Sequence, residues 1–192
     1  MMNLNFRRQP DSPFRILCLG AHSDDIEIGC GGTILRLLEE NPAAEVHWVV
    51  LGATGPRKTE AVESADLFLA GAKKKEVIIR EFRDGYFPHM WAEIKDFFEA
   101  LKKQCQPDLI LTHYGKDLHQ DHRLVSELTW NTFRNHLILE YEIIKYDGIL
   151  EHPIFLCNWP SLLSARKFRR SWTASRARRT RAGLPRIHFR RF

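Results

Sequence analysis

The sequence has no long apolar run, no paired cysteines and, over its last 29 residues, no acid at all. No apolar segment approaches the ~20 residues of a membrane helix, so no span is expected. The first residues, MMNLNFRRQPDSPF, lack the apolar core of a secretory signal, which favours the cytoplasm. Cys18, Cys30, Cys105 and Cys157 stand far apart with no CxxC pair, which argues against a finger-type zinc site and against a disulfide framework. They read as small buried apolar groups, with Cys30 kept as an alternative metal ligand because it lies near an acidic loop. There is no GxGxxG, and the acids of that loop would repel a pyrophosphate, so a nucleotide binder ranks last.

Charge is unevenly spread. All 24 Asp and Glu lie at or before Glu151 together with 18 of the 29 Lys and Arg, whereas residues 164–192 hold the other 11 bases. The net +5 therefore describes a basic tail on an acidic body. Nucleic acid is not an expected partner of the domain, the tail being the only hint of one. No membrane span is expected, and a homo-oligomer stays open.

What is present alternates. Apolar strand-like runs cover Arg15–Gly20, Glu45–Leu51, Glu76–Arg80, Asp108–Thr112 and Leu137–Ile144. Between them helical spacing predicts helices over a segment from near Ile26 to Glu40, Arg57–Ala70, Met90–Cys105 and about His122–Asn135. Strand–helix alternation predicts an α/β domain with a mostly parallel sheet. Residues 1–14 read as a lead-in, 15–153 as the domain and 154–192 as an atypical basic tail. The length suits one domain with a sizeable core.

Two polar clusters interrupt this pattern. The first, in ILCLGAHSDDIEIGCGG, carries His22, Asp24, Asp25 and Glu27; the second, HYGKDLHQDHR, carries His119, Asp121 and His122. Alone, the first could be a capped helix start and the second a solvated turn. Both, however, follow apolar strands and precede helices, and right-handed crossovers bring such places to one C-terminal sheet edge. Buried carboxylates there need a positive partner, and two imidazoles, one carboxylate and an open position for water suit zinc. Such an ion lowers the pKa of its water to about 7, and a carboxylate off the metal can then take the proton. The same ligands accommodate Fe2+ or manganese.

The motifs AHSDDIE and HQDH resemble the AHPDDxE and HxDH signatures of the LmbE-like (PIG-L) zinc-dependent de-N-acetylases, over roughly residues 15–150. The resemblance implies a Rossmann-like three-layer fold and removal of an acetyl group from N-acetylglucosamine derivatives. It implies that His22, Asp25 and His122 hold zinc and that Asp24 is the general base and later the proton donor. His119 would stabilise the oxyanion as a positive or hydrogen-bonding group, and Asp121 would orient His119. Glu27 would support the loop, and Ser23 replaces the usual proline without changing ligand spacing. Arg57 and Tyr114 are candidate substrate contacts, and His113 is another; for each, solvation or loop packing is the plainer alternative.

The similarity to the family fades after YEIIKYDG. Three readings of the tail stand together: a polyanion-binding arm, a solvated segment without a role, and a frameshifted end that removes part of the substrate wall. With the first reading goes a rival function, a catalytically impaired metal- or sugar-binding α/β protein.

Overall fold

A computed structural model describes residues 12–143, together with Phe6. The predicted tail, the end of the predicted domain and most of the lead-in lie outside the described residues.

Nine apolar-rich residues form the first strand, β1 (Phe14–His22), every one from Ile16 to Ala21 buried. A strand with both faces covered reads as a continuous apolar run rather than an alternating one. Helix α1 (Asp25–Glu40) follows, then β2 (Ala44–Gly52), α2 (Pro56–Phe68) and β3 (Lys74–Ile79). A 3-10 turn (Phe87–Met90) leads into α3 (Trp91–Gln104), β4 (Leu109–His113), α4 (Gln120–Thr132) and β5 (Leu137–Tyr141). The strands lie in the order β3-β2-β1-β4-β5, and every pairing is parallel. The α/β class with a parallel sheet is the one expected.

The two faces of the sheet are filled by alternate residues. Leu17, Leu19, Ala21, Val49 and Leu51 enter one core with Ile94, Phe98 and Leu101 of α3 and Leu124, Val125 and Leu128 of α4. On the other face Trp48 of β2 meets Phe68 of α2 at 6.0 Å between ring centroids. Helices α1 and α2 cover that face, so the domain has three layers. Glycines make this side close: a Cβ on Gly31 of α1 would stand 2.5 Å from Cε1 of Phe68.

Element ends differ from expectation by small, explicable amounts. The first strand runs on to His22, so this ligand candidate is the strand's last residue rather than part of a free loop. Helix α2 stops at Phe68, with Gly71 in the turn beyond it. Helix α4 begins at Gln120, so HQDH is itself a helix start. Because β1 pairs with β2 on one side and β4 on the other, the chain reverses its winding direction between β1 and β4. Their C-terminal ends flank that crevice, where doubly wound sheets bind ligands. Among the described residues, no helix is long and apolar enough to cross a membrane.

Candidate metal centre

Residues a hundred positions apart meet in that crevice. His22 Nδ1 lies 3.3 Å from Asp25 Oδ2, and His122 Nε2 lies 3.2 Å from His22 Nδ1. The third edge, His122 Nε2 to Asp25 Oδ2, is 3.5 Å. A cation with ~2.0–2.1 Å bonds to tetrahedrally disposed donors would hold them roughly 3.3–3.4 Å apart. The triangle has the size and donor chemistry of a three-ligand zinc face, so the three predicted ligands fit the ion.

Each candidate ligand is fixed by its own element. Asp25 opens α1 and its Oδ2 accepts the main-chain N–H of His22 at 2.7 Å. His22 turns Nε2 toward Asp121 Oδ2 at 3.2 Å, and His122 turns Nδ1 toward Asp117 Oδ2, also at 3.2 Å. A carboxylate behind each imidazole sets ring orientation and raises ligand basicity. Asp117 also accepts the His119 N–H at 2.7 Å, so one buried carboxylate shapes the whole second motif. Its part was not legible beforehand, although a carboxylate two residues before the first histidine of a loop is an available signal.

Asp121 differs from expectation. Its carboxylate does not orient His119; it accepts the main-chain N–H of Gly85 (2.6 Å) and of Phe87 (3.1 Å) and faces His22. It is the Asp121 main-chain N–H that meets His119, at Nδ1, 3.2 Å away. As the first turn of α4 winds, its side chain points back under the sheet end, while its N–H remains one of the orphan donors a cap must satisfy. Accepting there leaves the hydrogen of a neutral His119 ring on Nε2. Burial, reinforced by His122 and His22, pushes the His119 pKa down and favours that neutral ring.

Asp24 is the N-cap residue of α1, yet its side chain makes no capping hydrogen bond. Crowding by protein atoms, with Asp25 beside it, raises its pKa. Burial opposes the charge of Asp25, but His113, His22 and His122 hold its pKa well below the ordinary range. The two neighbouring carboxylates are thus pushed apart in acidity, the condition for separate roles. Glu27, in the same first helical turn, is pushed up to about 7 by burial.

His113 does not face a substrate. It is fully buried, with Nε2 3.0 Å from the Ala21 N–H and 3.2 Å from Asp25 Oδ2, and its ring stacks on His122 at 4.0 Å. As the last residue of a buried strand it has sheet on both sides. Arg57 stands exposed at the mouth, with Nη1 3.7 Å from Asp84 Oδ2. Tyr114 follows β4, half-buried, with its main-chain N–H bonded to Tyr141 O at 2.9 Å. No cysteine joins the convergent donor groups among the described residues, so Cys30 is not an alternative ligand there. Asp84 is the residue the sequence left unmarked: its Oδ1 lies 3.1 Å from His22 Nε2.

Burial alone would lower the His22 pKa, but Asp25, Asp84 and Asp121 outweigh it and raise it to about 9. Below that pH the metal-free ring carries a proton that must leave before Nδ1 and the Nε2–H partner arrangement can serve a cation. Zinc affinity is therefore expected to rise about tenfold per pH unit below about 9, one proton being released per ion. Competition titrations against a chromophoric chelator at several pH values measure the slope; a flat line would take His22 out of the ligand set.

The family described as GlcNAc-PI de-N-acetylase (PIG-L) matches residues 17–133. Among solved structures, N,N'-diacetylchitobiose deacetylase from Pyrococcus horikoshii is 30% identical over 62% of this chain and 49% of its own, with a TM-score of 0.49. The chain thus spans about half the length of that relative. A deacetylase of the teicoplanin biosynthesis pathway is 15% identical, with 72% of each chain covered and a TM-score of 0.58. A conserved protein from Thermus thermophilus is 20% identical over 73% of this chain and 68% of its own, with a TM-score of 0.52.

Proposed function

Because the chain belongs to the PIG-L family, we propose that it is a metal-dependent hydrolase removing an acetyl group from an N-acetylated amino sugar or sugar conjugate. One observation carries the proposal: donor atoms of His22, Asp25 and His122 form a triangle with edges of 3.2, 3.3 and 3.5 Å. These residues would hold zinc, or Fe2+ in its place. When bound, such an ion supplies Lewis acidity at the acetyl carbonyl and a water acidic enough to react near neutral pH.

The chain's own groups do the rest. Asp24, uncommitted to capping and of raised basicity, accepts the proton of the attacking water. The amide C–N bond breaks, and Asp24 returns that proton to the departing amine nitrogen, leaving acetate. His119, with Nδ1 engaged by the Asp121 N–H, offers Nε2–H to the developing oxyanion. Asp121 and Asp117 keep His22 and His122 aimed. Arg57 and Tyr114 are the proposed contacts to substrate hydroxyls. The cytoplasm suits this chemistry and the buried thiols of Cys18, Cys30 and Cys105.

Acetate release from a panel of N-acetylglucosamine conjugates is the test. Dialysis against a chelator is expected to lower the rate more than about 100-fold, and zinc or Fe2+ to restore it. Hydrolysis that persists after complete metal removal would refute the proposal.

A further inference from the structure

The carboxylate of Glu140 gathers donors from outside its own strand. In β5 it lies opposite Thr112 of β4, half-buried. Its Oε1 accepts the Trp130 Nε1–H at 2.7 Å and the Ser126 hydroxyl at 3.3 Å, both from α4. Its Oε2 accepts the main-chain N–H of Gly115 at 3.2 Å. Gly115 lies inside a turn closed by the Asp117 N–H, which donates to Tyr114 O at 3.1 Å. That turn ends on the carboxylate that supports the second motif: Asp117 meets His122 Nδ1 with Oδ2 and the His119 N–H with Oδ1. Arg123 clasps the far end of the turn, its Nη1 donating to Asp117 O at 2.9 Å and to Leu118 O at 2.7 Å. Glu140 holds the middle.

We propose that Glu140 is a positioning residue of the metal centre: through Gly115 it holds the turn that keeps Asp117 aimed at His122. A carboxylate suits this task because it only accepts, and its two oxygens serve donors on different sides. Glutamine of the same shape cannot do the same. Its amide oxygen stays with Trp130, the shorter bond, and its NH2 then confronts the Gly115 N–H, donor against donor. With phenylalanine in place of Trp130 the amide is free to turn. Its oxygen then accepts from Gly115, and its NH2 donates to Ser126 Oγ, a hydroxyl that accepts as well as donates. Glu140→Gln therefore breaks the hold on the turn, and adding Trp130→Phe restores the hold without restoring the charge. The consequence for zinc rests on the metal centre proposed above; the hold on the turn does not.

Two measurements on the full chain test this: hydrogen exchange of the Gly115 amide in the metal-free protein, and zinc affinity by competition against a chelator. Glu140→Gln is expected to speed Gly115 exchange at least about tenfold. Its zinc affinity is expected to fall about 3–10-fold, at or below the low end of what losing a carboxylate behind a ligand costs. Trp130→Phe alone should leave both near those of the parent, and the double variant should return to within about twofold of it, the non-additivity that a shared carboxylate predicts. Unchanged exchange in Glu140→Gln overturns the hold on the turn. Faster exchange with unaltered zinc affinity overturns the positioning role and leaves the hydrolase standing. A double variant as impaired as Glu140→Gln also overturns it and assigns the effect to the lost charge. A parent chain that binds no zinc defeats the metal centre and this role together.

Discussion

Asp24→Asn is expected to cut deacetylation about 10²–10⁴-fold while the cation stays bound. Amide and carboxylate have the same shape, so packing at the start of α1 is preserved. Asparagine is as good an N-cap as aspartate, and the Asp24 side chain makes no cap bond in any case, so stability should stay near that of the parent. The proposed metal ligands are His22, Asp25 and His122, and the contacts among their side chains do not involve Asp24. What the substitution removes is the ability to take a proton. Metal content and melting temperature separate this loss from damage to the site; a variant with bound zinc and an undiminished rate would exclude Asp24 from the chemistry.

The second large effect is on stability. Gly29→Ala places a Cβ 2.1 Å from Cδ2 and 2.7 Å from Cε2 of Tyr141. Tyr141 has nowhere to go: it is buried, its hydroxyl donates to Leu19 O at 2.7 Å, and its ring packs on His113 at 4.8 Å. Alanine in a helix gains up to about 1 kcal/mol over glycine. Overpacking a closed core typically costs about 1–3 kcal/mol and more when backbone must shift. At 2.1 Å the clash wins. A fall of roughly 5–10 °C in melting temperature is expected for a chain of this size. Gly71→Ala, where the nearest neighbour is Leu38 Cβ at 3.8 Å, is the control and should show no such loss. Equal melting temperatures for the two variants would mean that α1 can slide off β5 freely.

The convergence of the two polar clusters was legible because each motif sits on local rules, whereas the choice of His22, Asp25 and His122 among their residues came from the resemblance. A run from Ile16 to Leu19 that is apolar on both faces can only be an inner strand, and a polar cluster after it falls at the sheet edge where ligands bind. The same reasoning applies to Leu109–His113 and the HQDH start of α4. Orientation within a motif was less accessible. Whether Asp121 turns its carboxylate to His119 or to His22 depends on the first turn of α4 and on where the 83–87 segment closes, neither of which spacing encodes. Asp84 was invisible for a similar reason. It follows a half-exposed edge strand in an Asp-Gly turn, an ordinary surface sequence, and reaches His22 only because that turn folds back over the crevice. His113 shows the converse: a histidine closing a strand suggests a reactive tip, but burial on every side makes it part of the wall.

The hold on the 83–87 turn has a consequence for divergence. Asp121 grips it through the main-chain N–H groups of Gly85 and Phe87, and Gln120 Nε2 donates to Gly85 O at 2.9 Å. Only Gly85, at φ 79°, is restricted in kind by its backbone. Arg83 and Tyr86 are carried on that frame without building it, the Arg83 guanidinium standing 3.7 Å from the Tyr86 ring centroid. Their side chains can therefore be exchanged while the turn stays in register, a division between chassis and fitting that lets the mouth of the crevice vary at little cost to folding.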